Sequence, residues 1–264
     1  MPTRMACSVA SPHRACLVDL CGAAAGPDDD LRPVPPDAAW TLPRTHKIHQ
    51  TCPWFRHKRY LLLDFDGPVC RVFANHPAST VAAELRQLLA DEGVSLPEAI
   101  IAESDPLEIL RYSATAGRPG VTRRIEDALR AAELVAVGGA EPTPYAGEVI
   151  GAAHRVAIVS NNSAEAVRAY LTAHGLAGSV HAVIGRPYAE PARMKPNPWP
   201  VLAALRELGA QPEECVLVGD STTDIDAAHA ARVPAIGYAN KPGKRARLAR
   251  ADALIDSMAE LATY

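Results

Sequence analysis

Beyond residue 59 the apolar and polar positions settle into a repeating alternation. Short apolar runs at 60–63, 155–159, 180–184, 215–218, 234–238 and 253–255 predict buried strands. Helical patterns fall between the later runs. One follows Asn162-Ser163 and ends near Gly175. Another covers about 197–208, with Gly209 as its C′ residue, and a third starts after Ser221-Thr222-Thr223. Such alternation implies a mainly parallel sheet with helices on both faces.

The stretch 68–150 breaks this rhythm, with a nearly all-helical pattern and no strand signal. Ser79 is a candidate cap for a helix running to Asp91, with Gly93 behind it. Asp105-Pro106-Leu107-Glu108 combines an N-cap, a proline at N1 and an acid at N3. A third helix covers about 121–135, and Pro144 is placed to open a fourth. The predicted fold is therefore α/β: a Rossmann-like core at 59–67 and 151–264, carrying an inserted all-helical cap at 68–150.

Residues 1–58 follow neither rhythm. They hold eight of the 23 prolines and an acidic triplet at Asp28–Asp30, and Leu31-Arg32-Pro33-Val34-Pro35-Pro36 reads as extended, polyproline-like chain. A disordered or poorly ordered extension is expected there. Arg4 is not followed by the apolar stretch of a signal peptide, because Ser8, Ser11, Pro12, His13, Arg14 and Asp19 interrupt it.

Composition narrows the classes. With 27 basic and 30 acidic residues the net charge is −3, which argues against a nucleic-acid binder. No run approaches ~18 uninterrupted apolar residues, so no membrane partner is expected. Six cysteines at 7, 16, 21, 52, 70 and 215 fit neither a zinc signature nor a disulfide framework, and predict free thiols in a reducing, cytoplasmic compartment.

Candidate chemistry sits where the apolar runs end. Asp64 and Asp66 follow the first run one residue apart, so both face the same side of an extended strand. Buried carboxylates need a partner or a metal, although a strand-ending Asx turn is the plainer alternative. Gly67 permits a sharp turn close to a ligand. Ser160-Asn161 ends the second run before a helix, a ready anion site, though Ser and Asn also serve as ordinary caps. Asn161-Asn162-Ser163 also matches a glycosylation acceptor, which only a secreted protein would use. Lys195, before Pro196-Asn197-Pro198, is one of five lysines; a compact ammonium there suits a phosphate, or is a solvated loop cation. Asp220 ends another run and Asp224 follows one helical turn on, a pair suited to a hard divalent cation.

Taken together and in order, Asp64-Phe65-Asp66-Gly67, Ser160-Asn161, Lys195-Pro196 and Gly219-Asp220-Ser221-Thr222-Thr223-Asp224 resemble the four motifs of the haloacid dehalogenase (HAD)-like superfamily, phosphatase branch. The resemblance covers about 59–264, and the long insertion after Gly67 matches the family's helical cap. It implies a hydrolase, with Asp64 as nucleophile and Asp66 as general acid and base. Ser160, Asn161 and Gly67 would hold the phosphoryl group, and Lys195 would offset its charge. Mg²⁺ would be bound by Asp64, the Asp66 carbonyl and Asp220, with Asp224 contributing directly or through another ligand. The second acid, Asp66, separates this chain from the metal-independent dehalogenases. Pro68 departs from the usual Thr or Ser.

The expected function is Mg²⁺-dependent hydrolysis of a small phosphorylated metabolite through an aspartyl phosphate. A phosphomutase of the β-phosphoglucomutase kind shares the motifs, and an idle regulatory binding protein on this fold is the alternative from another class. Substrate identity and oligomeric state are not encoded legibly; Arg111, Arg118, Arg123 and Arg124 are the cap cations available to an anionic group, or a solvated helix face.

Overall fold

The computed structural model describes residues 58–262; the expectations for the segment before Lys58 lie outside the described residues. The chain enters through β1 (Tyr60–Leu63), a two-residue strand β2 (Cys70–Arg71) and four helices: α1 (Ala78–Asp91), α2 (Glu98–Ile101), α3 (Pro106–Thr115) and α4 (Pro119–Gly138). It returns through β3 (Glu141–Pro142), α5 (Ala146–Ala152), β4 (Arg155–Val159), α6 (Ala164–Ala173) and β5 (Ala182–Ile184). The remainder is α7 (Trp199–Leu208), β6 (Cys215–Gly219), α8 (Thr222–Ala230), β7 (Ala235–Tyr238), α9 (Lys244–Arg247), β8 (Ala253–Ile255) and α10 (Ala259–Ala262).

Six strands form one parallel sheet in the order β5-β4-β1-β6-β7-β8. The chain fills one side of β1 with β4 and β5, then crosses to the other with β6, β7 and β8. The reversal of direction falls between β1 and β6, where open α/β sheets bind ligands at their carboxyl edge.

Side chains alternate across the sheet as strand geometry requires. Leu61, Leu63, Val156, Ile158, Val216 and Val218 pack on one face with α5, α6 and α10. Tyr60, Leu62, Ala157, Val159, Cys215 and Leu217 pack on the other with α7 and α8. Burial on both faces explains why these strands read as continuous apolar runs. A third cluster, built from Val81, Leu85, Leu89, Ile109, Leu110, Ile125 and Leu129, joins α1, α3 and α4 apart from the sheet.

Several helix ends follow the sequence chemistry. Ser163 and Ser221 accept the N–H groups of Ala166 and Asp224, Asp105 accepts that of Leu107, and Gly209 takes φ +61° behind α7. Ser79 does not cap: α1 starts at Ala78 behind Pro77, so Ser79 lies inside the first turn. The insertion also contains the small antiparallel ribbon β2–β3, pairing Cys70 with Pro142 and Arg71 with Glu141. Two residues per strand are too few to leave a period in the sequence. α5 starts two residues after Pro144 and seats Val149 and Ile150 on the sheet rather than among the α1–α4 helices. Cys70 and Cys215 are buried free thiols, and the other cysteines lie outside the described residues. No described helix is long and apolar enough to cross a membrane.

Candidate active site

Four strand ends deliver the site. The Asp64 N–H donates to the Val218 carbonyl (2.9 Å), so β1 places this carboxylate beside the end of β6. The Ser160 N–H donates to the Ile184 carbonyl (2.9 Å), fixing the loop after β4 against β5. Gly67 takes φ +112°, and a Cβ there would lie 2.5 Å from Asp220 Cγ; glycine is required by both conformation and contact. The Thr143 hydroxyl donates to the Gly67 carbonyl (2.5 Å) and ties the start of the insertion to its end.

Lys195 is the centre of the charge arrangement. It is 1% exposed, and its ammonium meets Asp64 Oδ1 at 2.7 Å, Asp224 Oδ1 at 2.6 Å and the Val159 carbonyl at 2.8 Å. Two of these contacts, to Asp64 and Val159, are hydrogen bonds, and the third, to Asp224, is an ion pair. Burial pulls its pKa down, but Asp224 and Asp64 outweigh that and hold it above the ordinary value. Lys195 is therefore a permanent cation behind the Asp64 carboxylate. Burial and Asp224 push the Asp64 pKa up, and Lys195 opposes them.

Asp66 accepts the Val72 N–H (2.9 Å) with one oxygen and opens into the cleft with its side chain. The dehydrating walls of the cleft raise its pKa to about 6. Burial also raises Asp220, against the Lys244 ammonium that contacts its Oδ2. Asp224 is fully buried; its Oδ2 accepts the Ser221 N–H (3.0 Å) and hydroxyl (2.7 Å), while Oδ1 faces Lys195.

Asp64, Asp220 and Asp224 bring carboxylate oxygens within 4.8 Å of one another. The donors are all hard oxygens and their mutual repulsion is only partly met by Lys195 and Lys244, a set that fits a hard divalent cation. Asp224 Oδ2 is taken by Ser221, and its buried Oδ1 has the Lys195 ion pair but no hydrogen bond, whereas Asp64 and Asp220 each keep one oxygen clear of a cation and are the freer donors.

A cleft of about 390 Å³ opens over these groups, bordered by Ser160, Asn161, Thr223 and the start of α3. Asn161 turns its side chain onto the Lys195 backbone, accepting its N–H (2.8 Å) and donating to its carbonyl (3.2 Å). Of the four arginines singled out in the sequence, Arg111 borders the cleft and donates to the carbonyls of Lys195 (2.6 Å) and Pro191 (3.3 Å). Arg118 and Arg124 pair with Glu92 instead, and Arg123 borders a separate hollow with Tyr188.

Sequence reasoning passed over Lys244, Thr143 and a buried group of Glu126, Glu133 and Arg186 behind the Ser160–Ser163 loop. Two acids seven residues apart on the buried face of α4 are the signal that was available for the last of these.

The family model for haloacid dehalogenase-like hydrolases matches residues 59–232. The chain belongs to this family. Among curated relatives, the phosphoglycolate phosphatase of Salmonella typhimurium is 32% identical over 133 residues, 48% of this chain and 52% of that protein. The phosphoglycolate phosphatase of Rhodospirillum rubrum is 34% identical over 114 residues, 40% and 46% respectively. The chain thus spans about half the length of the curated relatives it matches. Among solved structures, CbbY from Rhodobacter sphaeroides in complex with phosphate superposes with a TM-score of 0.58 at 22% identity, covering 77% of this chain and 96% of that one. A predicted phosphatase from Clostridium acetobutylicum gives 0.60 at 14% identity, covering 78% and 96%. At these identities the two structures establish a shared fold, and the family rests on the family model.

Proposed function

We propose that this protein is a Mg²⁺-dependent phosphohydrolase acting on a small phosphorylated metabolite through an aspartyl phosphate. The observation that carries the reading is the Asp64 carboxylate held against the Lys195 ammonium at 2.7 Å, with Asp66 and Asp220 beside it at the sheet's switch point. An anionic nucleophile attacks an anionic phosphoryl group only where cations screen the repulsion. Lys195 supplies one of them.

In this reading an Asp64 oxygen forms the new bond to phosphorus as the ester P–O bond breaks. The leaving oxygen takes its proton from Asp66. Asp66, now ionised, removes a proton from water, whose oxygen attacks the phosphoaspartate and returns Asp64 to its carboxylate. The Ser160 hydroxyl, turning from Asn162 to the ligand, and the backbone N–H beside Asn161 would bind phosphoryl oxygens, and Gly67, whose N–H is held by the Cys70 carbonyl, lets the chain turn close to them. Asp64, the Asp66 carbonyl and Asp220 would hold the metal, and Asp224 acts through Lys195. When bound, Mg²⁺ would supply positive charge opposite the phosphoryl oxygens.

The helices α1, α3 and α4, with their separate core, serve as the cap that closes over the leaving group. The cleft volume of about 390 Å³ favours a small ester. This reading keeps the cytoplasmic location expected from the spacing of the six cysteines. The names of the curated relatives make 2-phosphoglycolate the first ester to assay.

The test is phosphate release from p-nitrophenyl phosphate and a panel of monoesters, including 2-phosphoglycolate and hexose 1-phosphates. Turnover is expected with Mg²⁺ and lost in EDTA. Asp64→Asn should lower kcat at least ~10³-fold with the melting temperature preserved, since an amide does not attack phosphorus. Activity of Asp64→Asn within ten-fold of wild type would remove the nucleophile. Interconversion of hexose phosphates without net phosphate release would instead establish the mutase.

A further inference from the structure

α4 carries two acids where an amphipathic helix should be apolar. Glu126 is 1% exposed and Glu133 is fully buried, and between them lies Arg186, whose side chain has no exposure. Packing three charged groups out of water is costly, and well-packed apolar residues of the same size are often as stabilising. The arrangement is therefore poorly explained as packing alone.

Its contacts are concentrated on one loop. Glu133 Oε2 accepts the Ser163 N–H (2.9 Å), and its Oε1 accepts the Asn162 side-chain amide (3.1 Å) and Arg186 Nη1 (2.5 Å). Arg186 Nη1 also donates to the Asn161 carbonyl (3.1 Å), and the Arg186 N–H to the Asn162 carbonyl (3.0 Å). Glu126 completes the set by accepting Arg186 Nε at 2.9 Å. Two consequences reach the cleft. Asn162, held by Glu133, accepts the Ser160 hydroxyl with Oδ1 (3.1 Å) and donates its N–H to Ser160 Oγ (3.0 Å). Asn161, held by Arg186, clasps the backbone of Lys195.

We propose that Glu133 is a positioning residue for phosphoryl binding: with Arg186 it forms a buried clamp that fixes the loop Ser160–Ser163, so α4 sets the affinity of the cleft for a phosphate dianion. This rests on the reading of the cleft as a phosphoryl site. Glu133 touches no reacting atom; it acts through Asn162 and Ser163.

The test compares Glu133→Gln with wild type. Glutamine keeps the size of the side chain but brings two donors of its own to a place where three donors need acceptors. Binding of inorganic phosphate in the presence of Mg²⁺ is measured by titration calorimetry, and KM and kcat with p-nitrophenyl phosphate. Phosphate should bind at least about ten-fold more weakly, the scale typical of outer partners that orient an active centre, and KM should rise more than kcat falls. Leu208→Ala, buried in α7 on the far face of the sheet, is the control for lost stability; its melting temperature should fall while phosphate binding stays within two-fold of wild type. If Glu133→Gln does not fold, Arg186→Lys is read against the same threshold, because an ammonium cannot span both glutamates and the Asn161 carbonyl. Phosphate affinity within two-fold of wild type in the variant that folds overturns the clamp. Wild-type protein that binds phosphate but hydrolyses no ester would overturn the phosphatase reading and leave the clamp standing.

Discussion

At the scale of single residues the two carboxylates of Asp64-Phe65-Asp66 differ more than their spacing implies. Asp64 is buried and bonded to a permanent cation, whereas Asp66 opens to the cleft with a pKa of about 6. Lys195 favours the ionised form a nucleophile needs, against the burial and the Asp224 charge that raise the Asp64 pKa, while Asp66 holds a proton near neutrality as an acid must. The sign of the pH effect follows. Below about 6 Asp66 carries its proton and serves as the acid; above it, the protonated fraction falls ten-fold per pH unit. An alkyl phosphate needs that proton on its leaving oxygen, and p-nitrophenyl phosphate hardly does. The ratio of kcat/KM for the alkyl ester to that for the aryl ester should therefore fall as pH rises from about 5 to about 8. Asp66→Asn should lower the alkyl ester by ~10²–10⁴-fold and flatten the ratio. A ratio flat with pH in the wild type would remove Asp66 as the acid.

At the scale of elements, close approach does what individual side chains cannot. Gly185, after β5, runs against the start of α6; a Cβ there would lie 2.3 Å from the Ala164 N atom. Gly185→Ala must push apart the strand that leads to Arg186 and the helix behind the Ser160–Ser163 loop. A loss of about 1–3 kcal/mol in chemical denaturation is expected, together with raised KM, because the shift falls on the phosphoryl-binding side. Unchanged KM at reduced stability would separate this junction from the site. The same contrast explains what the sequence discloses. Asp64, Ser160 and Asp220 are legible because uninterrupted apolar runs announce buried parallel strands, and ligand groups gather at their carboxyl ends. Ser163, Ser221 and Gly209 are legible because capping is local. Ser79 misleads, since proline at position 77 also begins a helix and a serine two residues on need not cap it. Glu133 and Arg186 meet across 53 residues, and Lys244 reaches Asp220 across 24, with nothing local to mark either pairing.

At the scale of the whole molecule, the fold concentrates negative charge at its switch point. Asp64, Asp66, Asp220 and Asp224 converge there against Lys195 and Lys244. Burial raises the pKa values of Asp64 and Asp220, and the dehydrating cleft walls raise that of Asp66 to about 6. Above the unfolded-state carboxylate value of about 4, the native protein therefore retains protons that the unfolded chain releases. Stability then falls as pH rises through that window. A divalent cation among these oxygens offsets the repulsion, and its benefit grows as the carboxylates ionise. In EDTA the melting temperature should decline between about pH 5 and pH 7.5, and Mg²⁺ should reduce that decline. At ten times its dissociation constant a ligand adds about 1.4 kcal/mol, or roughly 3–6 °C for a domain of this size. That increment should appear at pH 7.5, shrink at pH 5 and vanish in Asp220→Ala at either pH. A Mg²⁺-induced shift of equal size in wild type and Asp220→Ala would place the cation elsewhere on the molecule, and the converging carboxylates would need Lys195 and Lys244 as their whole counter-charge.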